Sequence, residues 1–155
     1  VACGAAIAKK LEGEKCVVFA LLGDGEQQEG QIWEAAMFAS HQKLGNLIAI
    51  TDWNGQQIDG PNDKVISLGD LKAKWDAFGW DVVVADGHDL EAIKAVLKSA
   101  RESVSDERPK MLLMKTDMGK GVDFMQGTHQ WHGKAPNADQ TEKALSQLKE
   151  TIGDF

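Results

Sequence analysis

The chain has 155 residues, 43% of them hydrophobic and 26% charged, with a net charge of -7. That length suits one domain with a sizeable core, and the acidic balance argues against non-specific nucleic-acid binding and against an anionic membrane surface. No apolar run is long enough for a transmembrane helix, and two cysteines, Cys3 and Cys16, make neither a disulfide framework nor a metal site. Both cysteines sit among apolar residues and are expected to be reduced and buried, in a cytoplasmic protein.

The elements alternate along the chain. Val1 to Glu12 predicts a helix with a small-residue face, closed by Gly13. It starts in helical register without a Met, so the domain, residues 1–155, is expected to lack an upstream portion. Cys16 to Leu22 (CVVFALL) predicts a strand buried on both faces. Gly30 to Leu44 predicts a helix with Trp33, Ala36, Met37 and Leu44 toward one side. Leu47 to Thr51 (LIAIT) predicts the next strand, which completes a right-handed βαβ unit.

The segment from Asp52 to Val65 is rich in turn residues. Leu68 to Phe78 predicts a helix and Trp80 to Ala85 a third strand. His88 to Val104 predicts a helix whose apolar face carries Leu90, Ile93, Val96, Leu97 and Ala100. Met111 to Lys115 predicts a fourth strand, and Met118 to Ala138 is glycine-rich and irregular. Asp139 to Thr151 predicts a last helix with Asp139 as its N-cap. The economical architecture is one α/β domain, a mostly parallel sheet with helices on both faces.

In such sheets ligands bind beyond the carboxyl ends of the strands. The first predicted strand ends in "LLGDGEQQEG", a glycine-rich turn that carries Asp24, Glu26 and Glu29 and no lysine. A direct phosphate cradle would not be so acidic. The second strand ends in "TDWNG", and the fourth runs into "TDMGKG", on the same edge. If the crossover joins neighbouring strands, Asp24 and Asn54 start about 5–10 Å apart. A carboxylate, an amide oxygen and a backbone carbonyl make a hard, all-oxygen site of the kind Mg²⁺ takes. No Cys/His cluster offers itself for zinc. The acidic turn can then hold a diphosphate indirectly, through a cation.

Gly23-Asp24-Gly25 and Asn54, with 28 residues between Gly25 and Asn54, resemble the thiamine diphosphate motif. Residues 23 to 60, "GDGEQQEGQIWEAAMFASHQKLGNLIAITDWNGQQIDG", resemble the cofactor segment of transketolase. "GKGVDFMQGTHQWHGKAP", residues 119 to 136, is similar to a second block of that family. The chain looks closest to the N-terminal subunit of a split transketolase, and its ending, "LSQLKETIGDF", is compatible with such a polypeptide.

The resemblance implies roles. Asp24, the side-chain oxygen of Asn54 and the main-chain carbonyl of Gln56 would hold Mg²⁺, or Ca²⁺ or Mn²⁺ in its place. Gly23, Gly25 and the Glu26 amide would lie along the diphosphate of thiamine diphosphate. His129 would contact the diphosphate and the substrate, as the catalytic residue of this chain, while His132 takes no assigned role. Glu29 would belong to a carboxylate network at a subunit interface. The implied activity is transfer of a two-carbon ketol unit from a ketose phosphate to an aldose phosphate. It would need a pyrimidine-domain partner, in a dimer of heterodimers, because the glutamate that protonates the cofactor ring lies on that domain. The competing readings are another thiamine enzyme, of the 2-oxo acid dehydrogenase or deoxyxylulose-phosphate synthase type, and a non-catalytic cofactor-binding scaffold.

The remaining polar and aromatic residues read as structural. His41 is expected at the surface and His88 in a local contact before its helix. Lys120 is expected in solvent, and the tryptophans in the core or an interface.

Overall fold

Four strands run parallel in the order β1-β2-β6-β5: β1 (Val18–Gly23), β2 (Leu47–Trp53), β5 (Asp81–Asp86) and β6 (Lys110–Lys115). The computed structural model describes residues 1–104 and 107–149. Parallel neighbours need crossovers, and helices supply them: α2 (Gly30–His41) joins β1 to β2, and α5 (Leu90–Glu102) joins β5 to β6. Between β2 and β5 lie a two-residue hairpin, β3 (Gln56–Gln57) and β4 (Gly60–Pro61), then the single turn α3 (Asn62–Val65) and α4 (Leu71–Ala77). Helix α1 (Ala2–Leu11) precedes the sheet and α6 (Ala138–Gln147) follows it. Among the described residues no helix is long and apolar enough to cross a membrane.

The two faces are covered unequally. On one face Ala6 of α1, Ala36 and Ala39 of α2 and Leu71 and Trp75 of α4 pack on Leu47, Ala49, Met111 and Leu113. The alanines let α1 and α2 approach closely, while the bulk comes from α4 and the sheet. On the other face α5 covers Ile48, Leu112 and Met114 with Val96, Leu97 and Ala100. Capping side chains set the starts of α4 and α5. Asp70 accepts from the Ala73 amide at 2.9 Å, and Asp89 accepts from Glu91 and Ala92 at 2.9 and 3.2 Å.

Several expectations need correction. CVVFALL forms a strand at the edge of the sheet, not one buried on both faces. Its second face lies beyond the reach of α5, which leaves Phe19 and Leu21 exposed, Leu21 by 74%. Met37 turns outward from α2, and Leu44 is buried in the loop after it. Leu90 is exposed at the first turn of α5, before the helix meets the sheet. The cap of α6 is Asn137, two residues before Asp139. Its side chain accepts from the Gln140 amide while Gln140 reaches back to the Asn137 amide, both at 2.9 Å. The helix ends at Gln147, where Leu148 turns extended, short of the predicted end at Thr151, which itself lies outside the described residues.

The cysteines are free but are not core residues: Cys3 is half-buried and Cys16 is exposed. Burial raises the Cys3 thiol. The Glu14 carboxylate, which accepts the Cys16 S–H at 3.3 Å, raises that of Cys16. His41 is exposed at the end of α2, as expected, and the His88 Nε2 accepts the Asp117 amide at 2.7 Å, a structural contact but with a residue beyond β6 and not a local one. Lys120 is exposed beside Asp117 at 3.6 Å. Trp75 and Trp80 are buried, and Trp33, Trp53 and Trp131 are half-buried.

Candidate functional site

The strand register brings the expected turns to one edge. Gly23 pairs with Asp52, Trp53 with Lys115, and Lys115 with Asp86, so all four strands end in line. The ladder runs one step further, because the Asp24 amide donates to the Asp52 carbonyl at 3.2 Å. Adjacent β1 and β2 therefore deliver the "GDG" and "WNG" turns side by side, as the sequence implied.

Asp24 sits at the centre of this junction and is 1% exposed. One carboxylate oxygen accepts the Gly25 amide at 2.7 Å, and the other accepts the Gly55 amide at 2.6 Å. The first bond caps the 3₁₀ turn Gly25–Gln28 and the second ties that turn to the end of β2. Among the described residues no lysine, arginine or histidine pairs with this carboxylate. A buried charge without a counter-ion is costly, and a cation bound beside it would remove that cost. Two of the roughly four acceptor directions of the carboxylate are used by amides, so directions remain for a metal.

Asn54 lies just past β2, half-buried. Its Oδ1 accepts the Gln56 amide at 2.8 Å, and its Nδ2 donates to Asp52 at 3.2 Å. Asp52 also accepts the Thr116 hydroxyl, which links the ends of β2 and β6. These contacts orient the amide oxygen of Asn54 and put Gln56 two residues further on. Among the described residues no three or more His, Cys, Asp and Glu side chains cluster as a metal-binding group. A metal here would rest on one carboxylate and neutral oxygens, and Asp24, Asn54 and the Gln56 carbonyl fit Mg²⁺ in that respect.

Gly25 and Gly55 are glycines for different reasons. At Gly25 a Cβ would meet the Cβ of Gln57 at 2.9 Å and its Oε1 at 2.8 Å. The β3–β4 hairpin is folded down onto the turn there. Gly55 has φ +73°, a left-handed conformation that lets its amide face Asp24 while its carbonyl accepts the Asn62 amide at 2.9 Å. Gly25→Ala is expected to destabilise the fold by about 1–3 kcal/mol, the range of an overpacked site. A urea melt checks this, and an unchanged midpoint would mean that the hairpin gives way freely.

The other predicted residues separate into those near this junction and those at its rim. Gly23 ends β1, and its amide donates to the Glu26 carboxylate at 3.0 Å, so the exposed Glu26 side chain folds back over the turn. Glu29 is exposed immediately before α2, with no ion pair or hydrogen bond to its side chain among the described residues. His129 is half-buried and opens the 3₁₀ turn His129–Trp131, which packs against β4. The second sequence block is thereby carried to the hairpin that closes on Gly25. The His129 imidazole makes no hydrogen bond among the described residues, which leaves it available to a ligand. His132 follows the turn and is exposed.

Sequence reasoning missed the support beneath the turn. Gln27 is fully buried; its Nε2 donates to the Thr51 hydroxyl at 2.7 Å, and its Oε1 accepts Trp75 Nε1 at 2.8 Å. Its carbonyl accepts Trp33 Nε1 at 2.8 Å. Amid "GEQQEG" Gln27 looks like one more polar turn residue. The periodicity of α4 places Trp75 in the core, but nothing local shows that its N–H reaches back to residue 27. Asp52, which orients Asn54, was likewise missed.

The fold defines an α/β domain whose parallel strands end in line, at the edge where such domains bind ligands, with oxygen donors gathered there of the kind a hard cation takes. The chain belongs to the transketolase family: residues 8–153 match the family described as transketolase, thiamine diphosphate binding domain. It is 40% identical over 152 residues to one of the subunits of apulose-4-phosphate transketolase from Phocaeicola vulgatus, covering 98% of this chain and 53% of that protein. It is 38% identical over 148 residues to the SqwG polypeptide of the 6-deoxy-6-sulfo-D-fructose transketolase of Clostridium sp., also named as one of that enzyme's subunits, covering 96% and 53%. The chain thus spans about half the length of these curated relatives. Among solved structures, Pichia stipitis transketolase with sedoheptulose-7-phosphate superposes with a TM-score of 0.84 at 30% identity, over 94% of this chain and 23% of that one. Campylobacter jejuni transketolase superposes with a TM-score of 0.81 at 32% identity, again over 94% and 23%.

Proposed function

We propose that this chain is the diphosphate-anchoring part of a split transketolase, in the cytoplasm. It would use thiamine diphosphate and Mg²⁺ to transfer a two-carbon ketol unit from a ketose phosphate to an aldose phosphate. The observation that carries the reading is the buried Asp24 carboxylate beside the Asn54 turn, without a protein counter-ion among the described residues. In this reading Asp24, Asn54 Oδ1 and the Gln56 carbonyl hold the metal. Gly23, Gly25 and the Glu26 amide line the diphosphate, and the family resemblance supports that placement.

When bound, thiamine diphosphate supplies the ylid and electron sink for breaking a carbon–carbon bond beside a carbonyl. The residues of this chain anchor and orient it. The His129 imidazole can donate to a phosphate oxygen or pass a proton at the substrate. Glu29 faces outward, where a partner surface could meet it.

The partner proposed is a separate pyrimidine-domain chain, which would provide the carboxylate that acts on the cofactor ring, in a dimer of heterodimers. Two relatives named as subunits of transketolases, each about half covered by this chain, support a multi-chain enzyme. Their printed names carry apulose-4-phosphate and 6-deoxy-6-sulfo-D-fructose, so the sugar panel should include both beside common ketose phosphates.

The expected result is ketol transfer from the mixture of chain and partner, and none from the chain alone. Normal turnover by the chain alone would refute the division of labour. Turnover of 2-oxo acids in place of ketoses would move the chain to another thiamine class. Cofactor binding without turnover of either would mark a scaffold.

A further inference from the structure

Asn62 is 5% exposed, yet among the described residues neither its Oδ1 nor its Nδ2 has a hydrogen-bond partner. Its backbone is well held: the amide donates to the Gly55 carbonyl at 2.9 Å, directly after strand β4 of the hairpin. Its side chain is aimed at the acidic turn, with Oδ1 3.3 Å from where a Cβ on Gly25 would stand. The side-chain oxygen of Gln56, on the paired strand β3, is also buried and without a partner among the described residues. An unpaired amide in a protein interior destabilises the fold, and an apolar side chain of similar shape would avoid the loss. The fold therefore keeps at position 62 a group that works against its own stability.

We propose that Asn62 is a polar contact for the diphosphate group, its Nδ2 donating to an anionic phosphate oxygen over the Asp24–Gly25 turn. The inference rests on the reading of the site as a thiamine diphosphate anchor. A half-turn of the amide exchanges Oδ1 and Nδ2, so the donor reaches the Gly25 side without any movement of the backbone. The role fits the absence of lysine from the turn: a neutral donor holds the anion without competing with the metal for Asp24.

The test uses the chain assembled with its pyrimidine-domain partner. Affinity for thiamine diphosphate at saturating Mg²⁺ is read by calorimetry, and the thermal midpoint is read without cofactor. Asn62→Leu is expected to weaken binding at least ten-fold while the cofactor-free midpoint stays level or rises. Asn62→Asp, which replaces the donor by a second carboxylate beside Asp24, is expected to weaken it further. Wild-type affinity in both variants would overturn the inference, the more so if Asn62→Leu also lowers the cofactor-free midpoint, since Asn62 would then be structural. Tighter binding by Asn62→Asp would overturn the donor role and put the side chain on the metal. If the wild-type assembly binds no thiamine diphosphate, the anchor reading itself falls and this inference with it. Loss of binding in Asp24→Asn with unchanged binding in the Asn62 variants would remove this inference alone.

Discussion

Asp24→Asn is expected to lower affinity for thiamine diphosphate and Mg²⁺ by about 100-fold or more, some 2.7 kcal/mol, while the chain stays folded. The carboxylate is the one charged donor of the proposed metal set, and the Asn54 and Gln56 oxygens are neutral. A cation in a buried site depends on that charge far more than one at the surface would. The asparagine keeps an oxygen that can accept one of the two backbone amides, Gly25 or Gly55, so the turn is still pinned.

Asp24→Ala is the harsher change. It strands both amides, at about 1–3 kcal/mol for each one left buried and unpaired. The two variants therefore separate metal binding from folding. Calorimetric titration of the assembled protein reads the first, and a denaturant melt the second. Asp24→Asn binding the cofactor as tightly as wild type would show that the buried carboxylate serves the fold alone.

Trp75→Ala is expected to lower stability by about 3–5 kcal/mol, the range for removing a large buried aromatic side chain. Trp75 is 1% exposed and stands where α4 meets the sheet. Its ring packs on Trp33 at 5.2 Å and edge-on to Trp80 at 4.8 Å, and its Nε1 donates to Gln27. The truncation opens a cavity and also strips Gln27 Oε1 of its donor.

Such a loss is a large fraction of the total stability of most domains, about 5–15 kcal/mol. Trp75→Phe should lose less, because it keeps most of the packing and gives up the hydrogen bond. A cycle with Gln27→Leu should show coupling, since the two side chains share one bond. Additive effects in that cycle would mean that Gln27 and Trp75 stabilise the fold independently. Because Gln27 also holds the turn next to Asp24, these variants are expected to loosen cofactor binding as well, through position rather than contact.

The correspondence between sequence and site was uneven for physical reasons. Asp24 and Asn54 were legible because strand-length apolar runs end just before each of them, and parallel strands joined by one helix lie side by side. Asp52 and Gln27 were not. Gln27 acts through contacts with Thr51 and Trp75, 24 and 48 residues away, and Asp52, beside Asn54, is tied to Thr116, 64 residues away; no local pattern carries such pairings. Asn62 was hidden in a segment that reads only as turns.

The edge position of β1 was missed because an apolar run reports that a strand can be buried on both faces, not which neighbours cover it. The shift of the α6 cap from Asp139 to Asn137 has a local cause. Asn137, three residues before Gln140, forms a reciprocal box with it, two residues earlier than the equally spaced pair Asp139 and Glu142.

By itself the sequence determined the alternation of strands and helices, the α/β class, and the acidic and amide turns at the ends of the first two strands. These follow from hydrophobic period and turn chemistry, which act over a few residues. Tertiary structure alone decided that β6 lies between β2 and β5, that α5 leaves Phe19 and Leu21 uncovered, and that the hairpin closes on Gly25. It also decided that Gln27 joins the turn to Trp75 and that the Asn62 side chain is buried without a partner among the described residues. Those outcomes depend on which surfaces meet, and the free energy of packing is shared among residues far apart in the chain.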